Sequence, residues 1–315
     1  MNGPSDRRNF LATAAAAALV ASASPAASET TPSVTRLRLG GPVSVPGDDP
    51  DVLARAHRAR GFRAAYCPTI PLSDGARLRD TAAAFERHDV ILAEVGRWVN
   101  LLDSDAEKRK KNLETVTEGL ALAEALGARC CVDIAGSLSP TSWFGPHPDN
   151  LSPTFFDAAV QNARAIVDAV KPTRTRFCYE MMAWSLPDSA DACLRMVKAV
   201  DRPGFGVHLD PCNLVNSPER FYRSSAVVRE CYSKLAPWIA SVHVKDLAWE
   251  VEMSVHFREV RAGLGAIDHS VLLTQHAKAC PHVPLMLEHL ETPDEYDAAR
   301  DHLLGVAATA RVSFD

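Results

Sequence analysis

The chain has 315 residues, 47% of them hydrophobic and 23% charged. This is ordinary globular composition with ample material for a buried core. The formal net charge is −5, with acidic and basic residues intermixed; no basic stripe stands out, which argues against nucleic acid as a partner.

The first thirty residues differ from the rest. Arg7 and Arg8 precede Asn9-Phe10-Leu11 and an Ala-rich apolar run, and small-residue sites such as Ala21-Ser22-Ala23 follow. A charged start, a short apolar segment and an A-x-A-like end predict an export signal over residues 1–30, here of the twin-arginine type. That route moves folded proteins, and the expected location is periplasmic or otherwise exported. The run is too short and Ala-rich for a membrane span, and no later segment qualifies. The mature form is therefore expected to lack one.

From residue 31 onward, short apolar runs alternate with helical patterns. Val34–Leu39 reads as a strand, Pro50–Arg60 as a helix stopped by Gly61, Phe62–Cys67 as a strand and Leu78–Arg87 as a helix. Val90–Val95 is the third strand. Ser104–Leu126 is the clearest helix, with Ser104 as its expected cap, Glu107 as a capping-box partner and Gly127 as its end. Ala128–Ala135 is a strand, 136–152 a loop rich in Pro, Gly and Asn, and Pro153–Val170 a helix. Arg176–Met181 is a strand and Pro187–Val200 a helix. Phe205–Leu209 follows as a strand, then a helical segment over Pro218–Ala236 and a strand over Ile239–Val244. Asp246–Asp268 reads as a long irregular segment, His269–Ala279 as a helix, Val283–Leu290 as the last strand and Thr292–Ala310 as the closing helix.

Eight strands alternating with helices predict a parallel sheet, and continuous apolar strands predict that both its faces are covered. The count fits a closed (β/α)8 barrel, in one domain over residues 31–315, better than an open sheet. The eight cysteines show no C-x-x-C spacing and lie mostly within apolar patterns, so they read as small buried hydrophobes rather than zinc ligands.

In such a barrel, functional groups gather where strands end. Glu180 in RFCYEMM, Asp210 in GFGVHLDPCN, His243 in SVHVKD and Glu288 in PLMLEHL occupy corresponding positions on the fifth to eighth strands. Carboxylates at such sites repel one another and are costly to desolvate unless a cation joins them. Three carboxylates and one imidazole favour Mn²⁺, Mg²⁺ or Co²⁺, with Zn²⁺ also accommodated.

These same phrases, YEMM, GVHLDPCNLV, SVHVKD and PLMLEHL, resemble the xylose isomerase-like TIM barrel superfamily in its sugar phosphate isomerase/epimerase branch. EVRAGLGAID resembles the branch's glycine-containing loop. The resemblance covers most of the chain after the signal and is strongest in the second half. It implies that Glu180 and Glu288 bind metal and also exchange a proton beside a polarised carbonyl. The sequence departs from the epimerases at Asn213, three residues after Asp210, where they usually carry a histidine. Asparagine cannot shuttle a proton at neutral pH, which argues against simple ketose epimerisation.

Further candidates for contact with a substrate are His208, on the same side of its strand as Asp210; Asn213 and Lys245; Trp98, which with Glu94 lies at the end of the third strand; and His256 and Arg258 in the segment after the seventh strand. His147 is a weaker candidate. No phosphate loop, dinucleotide fingerprint or nucleophile elbow occurs. The expected activity is metal-dependent isomerisation or epimerisation of a free sugar or keto-sugar. A lyase or hydrolase that cleaves 3-keto-glycosides by elimination is the alternative, ahead of a non-catalytic sugar-binding protein. The expected partner is a small carbohydrate, and a homo-oligomer is left open.

Overall fold

A computed structural model describes residues 36–315; the expected signal over residues 1–30 lies outside them. Strands β1 (Arg36–Gly40), β2 (Ala64–Tyr66), β3 (Ile91–Gly96), β4 (Cys130–Asp133), β5 (Arg176–Glu180), β6 (Phe205–Leu209) and β7 (Ile239–Val244) pair in parallel, each with its neighbour in sequence. After a hairpin of β8 (Asp246–Trp249) and β9 (Phe257–Val260), β10 (Pro284–Leu287) pairs with both β7 and β1 and closes an eight-stranded barrel. A short β11 (Ser313–Phe314) adds to the start of β1.

Helices α1 (Pro50–Ala59), α2 (Gly75–Arg87), α3 (Ala106–Leu126), α4 (Pro153–Val170), α5 (Ala190–Val200), α6 (Pro218–Tyr222), α7 (Ser224–Leu235), α8 (His269–Ala279) and α9 (Pro293–Ala310) connect the strands from outside. The main core lies between this helical ring and the outer faces of the strands. The eight-strand (β/α)8 expectation is met, and β6, β7 and α4 fall at the expected residues.

Three local expectations change. The cap of α3 is Asp105, whose Oδ1 accepts from the backbone N–H of Glu107 and Lys108; a carboxylate also complements the positive helix end, which the Ser104 hydroxyl does not. The expected helix over 218–236 breaks at Arg223, which leaves helical geometry. The stretch 246–268 is not irregular, because it opens with the antiparallel β8–β9 hairpin. Its return loop is organised by the buried Asp246 carboxylate, which accepts N–H bonds from Leu247, Gly263, Gly265 and Ile267. A side chain at Gly265 would collide with that carboxylate, which explains the glycine of AGLGAID. All eight cysteines are free, and seven are buried, as expected of small hydrophobes.

The period of two along each strand builds the barrel interior in layers, except where register shifts in the β2–β3 and β6–β7 pairs turn the adjacent residues Ala93 and Glu94, and Ala240 and Ser241, to the same side. Cys130, Cys178 and Ala240, then Ala64 and Ala93 with the longer Met286, fill the lower part. Above them comes a hydrogen-bonded layer of Glu94, His208 and Ser241. One further step along β5, β6, β7 and β10 brings Glu180, Asp210, His243 and Glu288 to the top.

Candidate metal centre

His243 stands at the centre of this upper layer. Its Nδ1 lies 2.9 Å from Glu180 Oε1, 2.9 Å from Glu288 Oε2 and 3.8 Å from Asp210 Oδ2. One ligand atom from each of the four residues falls within 4.8 Å of all the others. His243 Nε2 faces the other way and donates to Glu94 Oε2 at 3.2 Å. Glu94 Oε1 accepts from His208 Nε2 at 3.0 Å and also bonds Ser241 Oγ. Burial opposes ionisation of Glu94, but the two imidazoles outweigh it and hold the carboxyl well below the usual range. Burial opposes a charged imidazole, but the Glu94 and Glu288 carboxylates and the Nδ1 contacts to Glu180 and Glu288 raise the His243 pKa well above its ordinary value. With no ion bound, the ring therefore carries a proton on Nε2 towards Glu94 and one on Nδ1 towards the three carboxylates.

A divalent cation would take the place of the Nδ1 proton, with Glu94 retaining the other proton on Nε2. Asp210 Oδ2 and Glu288 Oε2 are buried and have no hydrogen bond of good geometry, although Lys245 Nζ lies 2.8 and 3.2 Å away. Lys245 also reaches Glu259 Oε1 at 3.1 Å and Asn213 Oδ1 at 3.2 Å. Three carboxylates thus lie within 3.2 Å of one ammonium, and a divalent cation would offset part of the remaining negative charge. The residues present fit such an ion. The second cluster, Glu94 with His208 and His243, is already paired internally. It supports the first rather than forming another metal site.

The charges respond accordingly. Burial raises the pKa of Asp210, beyond what Lys245 offsets, to about 6. Burial also works against Glu288 and Glu180, but His243 and Lys245 outweigh it. Glu288 falls to about 2, and Glu180 stays below its ordinary value. Lys245 resists the burial penalty because Asp210, Glu180 and Glu288 surround it, and its pKa is raised.

Over the centre opens a cavity of about 540 Å³. Glu180, Asn213, Lys245 and Glu288 line its floor, with Glu259 and His289 beside them; Trp98 and residues of the loops after β4 and β5 form its walls. Of the residues singled out in the sequence, Lys245, Asn213 and Trp98 reach the cavity. The Trp98 ring centre is 6.4 Å from that of His243. His208 does not reach it, being fully buried beneath the centre. His256 and Arg258 are also not brought to it. Both are exposed on the hairpin, paired with Glu252 and Glu250, because the pleat of β9 sends Glu259 inwards and its neighbour Arg258 outwards. His147 caps a short 3₁₀ turn through Asp149 N–H and stays outside the cavity.

Sequence reasoning missed Glu259 and His289. His289 has φ +57°, a left-handed conformation uncommon outside glycine. Its Nδ1 donates to Glu259 Oε2 at 2.6 Å, tying the hairpin to the end of β10. The period-two pattern FREV could have pointed to Glu259 once β9 was recognised as a strand. Trp143, Phe144 and Trp184, also on the cavity wall, lie in loops that no periodicity marks.

The sequence matches the Xylose isomerase-like TIM barrel family over residues 53–304, and the chain belongs to that family. No curated protein matches it. Solved structures share the fold at low identity. A xylose isomerase-like TIM barrel protein from Mycobacterium smegmatis in complex with magnesium is 18% identical, with a TM-score of 0.61 over 87% of this chain and 97% of that one. 3-Keto-D-glucoside 4-epimerase from E. coli is 13% identical, with a TM-score of 0.63 over 87% and 100%. D-psicose 3-epimerase from Clostridium cellulolyticum H10, solved with D-tagatose, is 16% identical, with a TM-score of 0.60 over 87% and 98%.

Proposed function

We propose that the protein is a divalent-metal-dependent isomerase or epimerase of a free sugar or keto-sugar, working by proton transfer beside a carbonyl. The observation that carries this reading is the placement of Glu180 and Glu288, each 2.9 Å from His243 Nδ1, on the floor of one cavity. Glu180, Asp210, His243 and Glu288 would hold the ion. Mn²⁺, Mg²⁺ and Co²⁺ suit this oxygen-rich set, and Zn²⁺ is accommodated. When bound, the ion supplies Lewis acidity that makes the proton beside a carbonyl easier to remove.

The chain's own residues do the rest. Glu180 and Glu288 are both held ionised at neutral pH, so either can accept the proton. As the C–H bond breaks, its electron pair moves onto the carbonyl oxygen, and Lys245 is close enough to the cluster to stabilise that charge. The carboxyl that took the proton then returns it at the neighbouring carbon, which gives isomerisation; return at the opposite face, which gives epimerisation, requires the other carboxylate first to take a proton from solvent. Asn213 donates from Nδ2 to Met181 O and accepts from Lys245 through Oδ1, so both ends of its amide serve the scaffold and neither moves a proton. A free sugar suits the cavity better than a phosphorylated one. Its charged lining is acidic apart from Lys245 and His289, and Lys245 is already enclosed by carboxylates. Export over residues 1–30 agrees with that preference and is tested by fusing the segment to a folded reporter and following its location.

The cavity's size favours one further reading, elimination from a 3-keto-glycoside, since 540 Å³ is of the order that holds a drug-sized ligand rather than one small ring. The test is turnover in D₂O with Mn²⁺-loaded protein. Deuterium should enter the substrate beside its carbonyl, and Glu180→Gln and Glu288→Gln should each lower exchange by about a hundredfold or more. If Glu180→Gln retains both metal and wild-type exchange, the proton-transfer role is wrong. Aglycone release without any epimer decides for elimination.

A further inference from the structure

The cavity above the metal centre has two unlike halves. Its floor carries the carboxylates, Lys245 and Asn213. The wall formed by the loops after β3, β4 and β5 carries Trp98, Ile134, Trp143, Phe144, Met182 and Trp184. The last two loops are fixed to one another. Asn150 donates from Nδ2 to Trp184 O and to Gly145 O, and Leu138 N–H donates to Asn150 Oδ1. Trp143 and Phe144 meet edge to face, with ring centres 5.1 Å apart. Trp98, Trp143, Phe144 and Trp184 all remain between 38% and 58% exposed, so a pre-ordered aromatic wall faces solvent beside a polar floor. Exposed aromatic surface next to a catalytic cluster marks a place where a ligand completes the packing.

We infer that this wall is a subsite for an apolar, aryl-type substituent attached to the sugar held on the floor. The inference rests on the carbohydrate reading above and specifies its substrate class. A second sugar unit is a poorer occupant. Beyond indole N–H groups, the side chains of the wall offer no hydrogen-bond donor or acceptor, and a sugar's hydroxyls would lose their water there without replacement. An aromatic ring loses nothing comparable. It gains apolar burial together with edge-to-face or offset contacts to Trp143, Phe144 and Trp184.

The experiment measures dissociation constants on Mn²⁺-loaded protein, by calorimetry or tryptophan fluorescence, for the 3-keto forms of phenyl β-D-glucoside, methyl β-D-glucoside and cellobiose. Turnover of each is followed in parallel. The phenyl compound should bind at least about tenfold more tightly than the methyl compound, and more tightly than the disaccharide. Phe144→Ala and Trp184→Ala, both at exposed loop positions, should each bring the phenyl-to-methyl ratio towards one without weakening methyl glucoside binding. Thermal melts verify that both variants are folded. Equal affinity for phenyl and methyl compounds, no binding of either, or tighter binding of the disaccharide overturns the subsite. A retained phenyl preference with no turnover of any compound supports the subsite while counting against the proposed reaction, so the two failures are distinguishable.

Discussion

At the scale of single residues, the arrangement turns on one proton. Glu94 binds His243 Nε2 and so presents Nδ1 to the three carboxylates. Outer partners of this kind usually matter 10- to 100-fold in metal affinity. Glu94→Gln should therefore weaken Mn²⁺ binding by about that factor, with exchange activity recovered at saturating metal. Unchanged affinity would show that Glu94 does not orient the imidazole. His276 provides a separate test of burial. It is fully buried, accepts from Tyr232 OH at Nδ1 and donates from Nε2 to Val283 O; burial lowers its pKa to about 4. The folded state keeps this ring neutral, whereas the unfolded chain takes up a proton near pH 6.5. Stability should then fall as pH drops from about 6.5 to 4, by up to about 3 kcal/mol. His276→Gln should remove that part of the slope in denaturant titrations. A slope unchanged in the variant contradicts the assignment.

At the scale of elements, strand periodicity made the grouping of three carboxylates and an imidazole legible in the sequence. Glu180, Asp210, His243 and Glu288 each end an apolar run, and parallel strands at matched register bring such ends together. What stayed hidden depends on tertiary context. His208 reads from its spacing to Asp210 as a partner behind the ligand set or as a substrate contact; that same side of the strand places it one layer deeper, against Glu94, in the first of those positions. Glu259 was obscured because Asp246–Asp268 was read as irregular, and without a strand there was no alternation to separate Glu259 from Arg258. The aromatic wall comes from loops held by Asn150, a contact across 34 residues to Trp184 that no local pattern reports. Helix ends were more legible: Thr292 and Glu295 form a full capping box at the start of α9. Thr292→Ala should cost about 1 kcal/mol, or about 2–4 °C in Tm for a domain of this size. A Tm unchanged within error would mean that α9 does not depend on its cap.

At the scale of the whole molecule, the barrel gathers excess negative charge on its floor and supports it with a closed sheet. The lower layers of small side chains and the bonded Glu94–His208–Ser241 layer keep water from reaching the cluster from below. A cation that binds this folded arrangement and not the unfolded chain must stabilise it. At a hundred times the dissociation constant the gain is about 2.7 kcal/mol, so chelated protein should melt several degrees lower and recover on addition of Mn²⁺. The central claim is that Glu180, Asp210, His243 and Glu288 together hold one divalent ion. Calorimetric titration of chelated protein with Mn²⁺ tests it most directly. One ion should bind per chain, and binding should be lost in Asp210→Ala and in His243→Ala while both variants keep a cooperative melt. Absence of binding to the wild-type protein, or undiminished affinity in Asp210→Ala, would contradict the account.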